Sequence, residues 1–526
     1  MKILLFSAAS ALALAATPAA AQMMTMPGMT MDHGQHRRAA KKPAIAKKTV
    51  VKKTVAKKTV AKKPSAASPA APHAGHGVAM PATDDRSMPI GQGSMPMDHG
   101  SMPMGGGSMP MAVPGGPAQP AMPMDHGSMA GMDHGAMAGM HDMKAGLGPY
   151  SMNREASGTS WQPDTSNHMG VMAMAGGWHL MGMGVLNLVA DTQGSRRGAD
   201  KLFPSGMLMG MAQHPLGDGT LQFKAMLSPD PIMGKRGYPL LLASGETADG
   251  VTRLVDRQHP HDFFMELSAS VSQNVGRKGS VFLYAGLPGE PAFGPPTFMH
   301  RESIMDSPEA PIAHHWLDST HISFGVLTAG AVLGNAKVEV SRFNGREPDQ
   351  HRWNIETGPL DSTAVRLSWN PTRELSLQGS WGHFKDPEQL EPGVDQERLS
   401  ASAIYTRQIG PDLHWSTTLA WGRKTVEHHK DDAFVLESSV RKGEWTVFGR
   451  GEVTENSELL DTAEHGPSFR VGKVSLGAVR DVPVAEHVAL GVGALASVNF
   501  LPADLAPLYG GRHPLGAMGF VRMKVN

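Results

Sequence analysis

The sequence predicts an all-β protein: an antiparallel transmembrane β-barrel of about 16 strands, preceded by a disordered leader rich in Met, His, Pro and Lys. Three observations carry this reading. From Val171 onward, short segments alternate apolar and polar residues at period two. These segments come in pairs joined by tight turns containing Gly, Asn or Pro. Between the pairs run longer, charged connections, so short turns gather at one end of the sheet and long loops at the other.

The chain opens with Lys2, an apolar run over 3–16, and Ala19-Ala20-Ala21 before Gln22. That pattern is a secretory signal peptide over 1–21. The protein has no cysteine, which excludes a disulfide framework and a cysteine-linked lipid anchor. Residues 22–150 carry too little apolar surface to order themselves. The 48 basic and 48 acidic residues cancel overall, yet paired lysines from Lys41-Lys42 to Lys62-Lys63 make a basic spacer over 41–63. Its five-residue period matches no helix, and like charges keep such a tract extended. Nucleic acid, the usual partner of a basic tract, is removed by export. Anionic envelope polymer or lipid headgroups remain as partners.

Between Gln22 and Met143 lie 20 methionines and 8 histidines, with almost no Leu, Ile, Phe or Trp beside them. These methionines therefore have no core to fill. Over 94–143 they recur in short words, which makes Met95, Met97, His99, Met102, Met104, Met109, Met111, Met122 and Met124 candidate metal ligands. His126, Met129, Met132, His134, Met137, Met140, His141 and Met143 complete that set. Thioether sulfur is soft and imidazole borderline, a donor set that suits copper ions, with Cu(I) favoured, over Mg, Ca or Mn.

Residues 151–170 form a transition, and 171–526 the barrel. The uncharged run from Met169 to Ala190 is long enough for a transmembrane helix, for which about 20 apolar residues suffice. Its five glycines argue against a helix interior and for a first strand over 177–190. Hairpins follow at 207–214/220–227, 263–273/280–286, 321–329/337–343 and 364–369/374–384. Three more fall at 399–408/413–422, 434–440/444–452 and 469–480/487–499, and a last strand runs over 513–525. The long connections are 191–205, 229–261, 287–319, 344–361, 385–396, 424–432, 455–467 and 500–512. An even strand count puts both ends of the barrel on the short-turn, periplasmic side.

Two of the long connections concentrate histidine and acid. One is Asp256-Arg-Gln-His-Pro-His-Asp262, which offers His259 and His261; the other contributes His300, His314, His315 and His321, with Met299 and Met305 nearby. Two readings stay open. The six histidines form a second metal site, or they make a hydrogen-bonded rim in which His and Asp orient each other and pin an inward loop. His428-His429 reads as an ordinary solvated loop. There is no His-Glu-x-x-His, Gly-x-Ser-x-Gly, phosphate loop or cysteine nucleophile, so the protein is not expected to be an enzyme.

The Met-Asp-His-Gly-Ser-Met words at 97–102 and 124–129, and the variant at 132–137 with Ala136, resemble a known leader. It is the leader of the outer-membrane copper-resistance protein B family and of copper-resistance multicopper oxidases. The body lacks the pattern of the copper-resistance B barrel. It resembles outer-membrane proteins of unassigned role through Phe298-Met-His-Arg301 and His314-His-Trp-Leu-Asp-Ser-Thr-His321. The resemblance implies an outer-membrane protein of copper or silver homeostasis, its leader capturing metal in the periplasm. Outer-membrane lipid, metal ions and periplasmic copper proteins are its expected partners. The alternative is a porin for a small solute, with the leader as a tether.

Overall fold

Period-two alternation suits a membrane only if polar side chains turn inward and the strands close on themselves, because hydrocarbon offers no partner to a free sheet edge. The computed structural model describes residues 144–167, 170–460 and 466–525 and shows that arrangement. The signal peptide, the lysine spacer and the leader ligands from Met95 to Met143 lie outside the described residues.

The chain begins with β1 (Val171–Ala175), β2 (Trp178–Gly194), β3 (Asp200–Leu216) and β4 (Gly219–Leu227). The hairpin β5 (Tyr238–Thr247) and β6 (Arg253–Gln258) forms a separate two-stranded sheet. The large sheet resumes with β7 (Phe264–Val275), β8 (Gly279–Gly286), β9 (Val326–Leu333) and β10 (Ala336–Phe343). Next come β11 (Ser362–Trp369), β12 (Leu375–Phe384), β13 (Gln396–Gly410) and β14 (Leu413–Val426). It ends with β15 (His429–Lys442), β16 (Trp445–Asn456), β17 (Phe469–Ala485), β18 (Val488–Phe500) and β19 (Leu515–Val525).

Neighbours pair antiparallel throughout, and β19 pairs back onto β2 from Leu515↔Gly194 to Val525↔Gly184, closing the sheet. With β1, β5 and β6 set aside, sixteen strands make the wall, as the turn rhythm predicts. The short β1 turns into β2 through Gly176-Gly177, whose φ values of 57° and 82° suit glycine. It occupies the edge of β2 that β19 leaves free, because β3 already holds the other edge.

The two faces are inverted relative to a soluble protein. Leu476, Val492 and Leu515 point outward at 64%, 67% and 63% exposure, while Ser341, Arg366, Glu437 and Lys473 are buried inside. An apolar outer band over a polar interior is the outer-membrane type of barrel. Of the run read over 169–190, Val171–Ala175 and the part from Trp178 are strand rather than helix, and no helix among the described residues is long and apolar enough to span a membrane.

An open wall of this size would leave its inner side chains wet. Here the inward residues are buried around the whole circuit, from Asp191 and Lys224 through Arg366 and Arg398 to Lys473 and Arg522. Three segments fill the space. Residues 144–167, read from sequence as the end of the leader and a transition, run against the inner wall. There Ser272 and Ser280 donate to the carbonyls of Gly146 and Leu147, Lys224 to that of Gly158, and Asn370 to that of Gln162. The β5–β6 hairpin buries Leu240, Leu241 and Leu242 beside Val189, Phe203 and Phe448 of the wall. The third is the connection between β8 and β9.

Several boundaries differ from expectation, among them the ends of β2 and β17, which run on to Gly194 and Ala485. The connection expected at 424–432 is only the turn Glu427-His428, since polar residues on the wall extend β14 and β15 beyond the apolar band. The strand expected from His321 begins at Val326, and His321 sits in a one-turn helix. The strand expected from Met207 already starts at Asp200.

Candidate metal centre

The connection between β8 and β9 descends the lumen with one isolated β-bridge, Gly289 to Ser323, so most of its backbone N–H groups need other partners. Inward serines supply them: Ser341 accepts from Ala292 N at 2.8 Å, and Ser380 from Gly294 N at 2.9 Å. Arg301 then fixes the bend. Its Nε and Nη2 fork onto the Glu437 carboxylate of β15 at 2.8 and 2.7 Å, and its Nη1 donates to Asp318 Oδ2 at 2.5 Å. A planar guanidinium matches this bidentate geometry, which lysine cannot reproduce. Beyond it, the one-turn helix His314–Leu317 lies on β14, with Trp316 Nε1 donating to the Asp431 carbonyl at 3.1 Å.

The second histidine connection follows β6. Pro260 restricts His259 to extended backbone. Asp262 pairs with Arg352 at 3.0 Å, and Arg352 also pairs with Glu246 of the inner hairpin. Both histidine connections are thus pinned by buried ion pairs inside the barrel rather than left at its rim.

They bring His261, His314 and His321 together: one ring nitrogen from each lies within 4.8 Å of the other two. All three residues are buried. Their Nδ1 atoms are engaged: His261 donates to Asp230 Oδ2 at 2.8 Å, His314 to Asp318 Oδ1 at 2.8 Å, and His321 to the Asp318 carbonyl at 2.7 Å. Carboxylate and carbonyl oxygens can only accept, so each Nδ1 carries the proton and each lone pair sits on Nε2. None of the three Nε2 atoms has a hydrogen-bond partner among the described residues. Burial lowers the pKa of His314 against the opposing pull of Asp318. Burial, with His261 and His314 beside it, lowers that of His321 well below the ordinary value. Both rings therefore stay neutral, the state in which imidazole binds metal.

His259 and His315 flank the trio. The His259 ring centroid lies 6.1 Å from that of His314 and 5.5 Å from that of His315. His259 Nδ1 is 3.1 Å from Glu246 Oε1, and His315 Nδ1 is 3.1 Å from Glu347 Oε1. Burial opposes charge on His315, but Glu347 outweighs it and its pKa rises. His315 is thus tied to Glu347, and its Nε2, like that of His259, has no hydrogen-bond partner among the described residues. His300 is turned elsewhere, with Nε2 3.4 Å from Met226 Sδ. Of the six histidines singled out in the sequence, three converge, two stand alongside and one points away.

Sequence reasoning missed Asp230, which lies 31 residues before the histidine it orients. Asp318 carried a signal, because it stands four residues after His314 and three before His321. Three imidazoles, each with its Nδ1 held, can hold a zinc or copper ion and leave a fourth position open. Zn–N bonds of about 2.0–2.1 Å would require the trio to tighten.

No protein-family model and no curated protein matches this sequence. Solved structures with a similar course are barrels. Outer-membrane OmpT of Vibrio cholerae is 8% identical, with 67% of this chain and 100% of that one covered, at a TM-score of 0.38. An anion-selective porin from Comamonas acidovorans is 13% identical over 66% of this chain and 99% of its own, at 0.38. Salmonella typhi OmpF, in complex with daunomycin, is 13% identical over 67% and 100%, at 0.41. At such scores the barrel assignment rests on the closed sheet itself.

Proposed function

We propose that this porin-like barrel works in the outer membrane as a metal-handling protein for copper or silver ions, with a binding centre at His261, His314 and His321. One observation carries the reading: three buried Nε2 atoms lack partners while every matching Nδ1 is held. Unsatisfied buried polar atoms cost about 1–3 kcal/mol each, and these three belong to the residues whose ring nitrogens come within 4.8 Å of one another. The Met/His leader, on this reading, gathers the ion in the periplasm, many weak thioether sites giving high local capacity.

The full-length chain in nanodiscs, titrated with Cu(II), tests the centre. Replacing His261, His314 and His321 together by Ala should remove the tightest site while the leader's binding persists. An unchanged isotherm rejects the centre. A second reading, a channel for a small solute, is favoured by the sixteen-stranded wall. It requires the segments that fill the lumen to move aside, and solute-dependent conductance in planar bilayers that is indifferent to copper would select it.

A further inference from the structure

Strands β2, β3 and β4 use different apolar residues on their two faces. Outward stand Leu180, Leu188, Leu202, Leu208 and Phe223, all exposed to the lipid side. Inward stand methionines: Met181 and Met183 on β2, Met207, Met209 and Met211 on β3, and Met226 on β4. Elsewhere the inner wall is largely Ser, Arg, Lys and Glu. If these positions needed only apolar bulk, leucine would serve inside as it does outside. What distinguishes the inner face is sulfur.

The register makes a continuous lane of these side chains. Met181 faces Met211, Met183 faces Met209, and Met209 faces Met226 across adjacent strands. Met152, Met181 and Met211 pack as one group near the short turns, and Met207, Met226 and Met265 pack with Ile322 and Phe324 as a second group further along; Met209 touches both. Successive inward positions on β3 are about 7 Å apart. At the far end His300 Nε2 approaches Met226 Sδ at 3.4 Å, and a cavity there is lined by Met207, Met299, Met305, His259 and one member of the histidine trio, His261.

We propose that this lane binds a monovalent soft cation, Cu(I) or Ag(I), at successive thioether sites and passes it between the short-turn end and the histidine centre. Thioethers are neutral and soft, so they select such ions over Mg, Ca or Zn. A series of weak sites lets an ion enter and also leave. The Gln222 and Gln213 amides donate to Met211 Sδ at 3.0 and 3.7 Å, which orients that sulfur, and the longer contact is the one a soft cation would displace. The destination of the lane rests on the metal reading of the histidine centre; binding by the thioethers does not.

The test compares full-length wild type, the triple His→Ala variant, and a variant with Met181, Met183, Met209, Met211 and Met226 all replaced by Leu, a swap that conserves volume. Ag(I) and Cu(II) are titrated separately. The leucine variant is expected to bind fewer Ag(I) equivalents than wild type while keeping the Cu(II) site. The alanine variant is expected to keep that Ag(I) increment and lose the Cu(II) site. Equal Ag(I) binding by wild type and the leucine variant overturns the lane, whatever the histidine centre does. If the multiple variant does not assemble, wild type labelled with ¹³C at the methionine methyl groups gives the answer. The signals of Met209 and Met211, assigned by single Leu replacements, must shift on adding Ag(I), and signals that stay in place overturn the proposal.

Discussion

His314 Nδ1 stands 2.8 Å from Asp318 Oδ1, one helical turn along the chain, with both side chains 1% exposed. The carbonyl of the same aspartate takes Nδ1 of His321. One residue therefore sets the tautomer of two of the three converging rings. Burial works against its charge, but Arg301 and His314 outweigh that and hold the Asp318 carboxyl well below the usual carboxylate range. The barrel wall reaches the centre through this chain of contacts, from Glu437 to Arg301 to Asp318 to His314.

Replacing Asp318 by Asn keeps the volume but removes the anion. Loss of such an outer partner typically lowers metal affinity about 10–100-fold, and that range is expected here for Cu(II). Asp318→Ala is expected to be worse, because it also leaves Arg301 with one partner fewer in a buried site, where breaking a pair costs about 3–5 kcal/mol. Isothermal titration reads both effects. Wild-type affinity in Asp318→Asn would mean that the aspartate only ties down the loop.

Gly422 on β14 faces the lumen beneath the one-turn helix. A Cβ there would fall 2.3 Å from the Trp316 carbonyl oxygen and 3.0 Å from its Cβ. Neither contact is the flexible end of a side chain, so Gly422→Ala must displace the helix that carries His314. Overpacking of this kind costs about 1–3 kcal/mol. The expected result is a barrel that still assembles and resists heating in detergent, with weaker Cu(II) binding and altered Trp316 fluorescence. Unaltered binding would show that the centre tolerates movement of the helix.

The wall was legible in the sequence because lipid on one side and polar groups on the other impose period two on every strand. Turn residues such as Gly334-Asn335 and Asn370-Pro371 then mark the hairpins. The filled lumen was not. Residues 144–167 have no periodicity of their own, because their order comes from hydrogen bonds to wall residues such as Lys224, Ser272 and Asn370 far along the chain. The histidines were legible as a concentration but not as a set. Which three converge depends on Asp230, Asp318 and the Arg301–Glu437 pair, contacts that span up to 136 residues. The methionine lane had a signal, the alternation Met207-Leu-Met-Gly-Met211, legible only once the lipid face is known.

The leader ligands make a separate prediction from composition alone. A peptide spanning 94–143 should bind Ag(I) or Cu(I) more tightly than Zn(II), because it offers thioethers and imidazoles but no thiolate. Zinc binding equal to silver binding, measured under reducing conditions, would remove the leader from the metal reading.

Glu290 links the inward connection to residues 144–167. Its side chain packs against Gly158, which has φ +55°, and its Oε1 lies 3.6 Å from Arg366 Nη1. Burial raises its pKa from 4.5 to about 7, with Arg366 opposing. The packed lumen thus favours the protonated acid, by roughly 3 kcal/mol for a displacement of that size. This contribution is fully present below pH 4.5, declines between 4.5 and 7, and is lost above 7. Amides of residues 155–160, corrected for intrinsic rates, should exchange faster at pH 8 than at pH 5. Glu290→Gln should abolish the difference, and a pH-independent wild type would mean that the carboxyl does not control docking.

Sixteen strands place both ends of the wall on one side, and the short turns with them. Lys235, in the connection before the inner hairpin, and Lys278, in the short turn between β7 and β8, are both exposed and lie at opposite ends of the barrel. The chain has no cysteine, so Lys235→Cys and Lys278→Cys each introduce a sole thiol. An impermeant maleimide applied to intact cells should label Lys235→Cys and spare Lys278→Cys until the outer membrane is opened. The reverse pattern would put the short-turn mouth of the methionine lane, and the start of β2, outside the cell. The leader would then have no access to periplasmic metal, and periplasmic capture would have to be given up even if every ligand bound as expected.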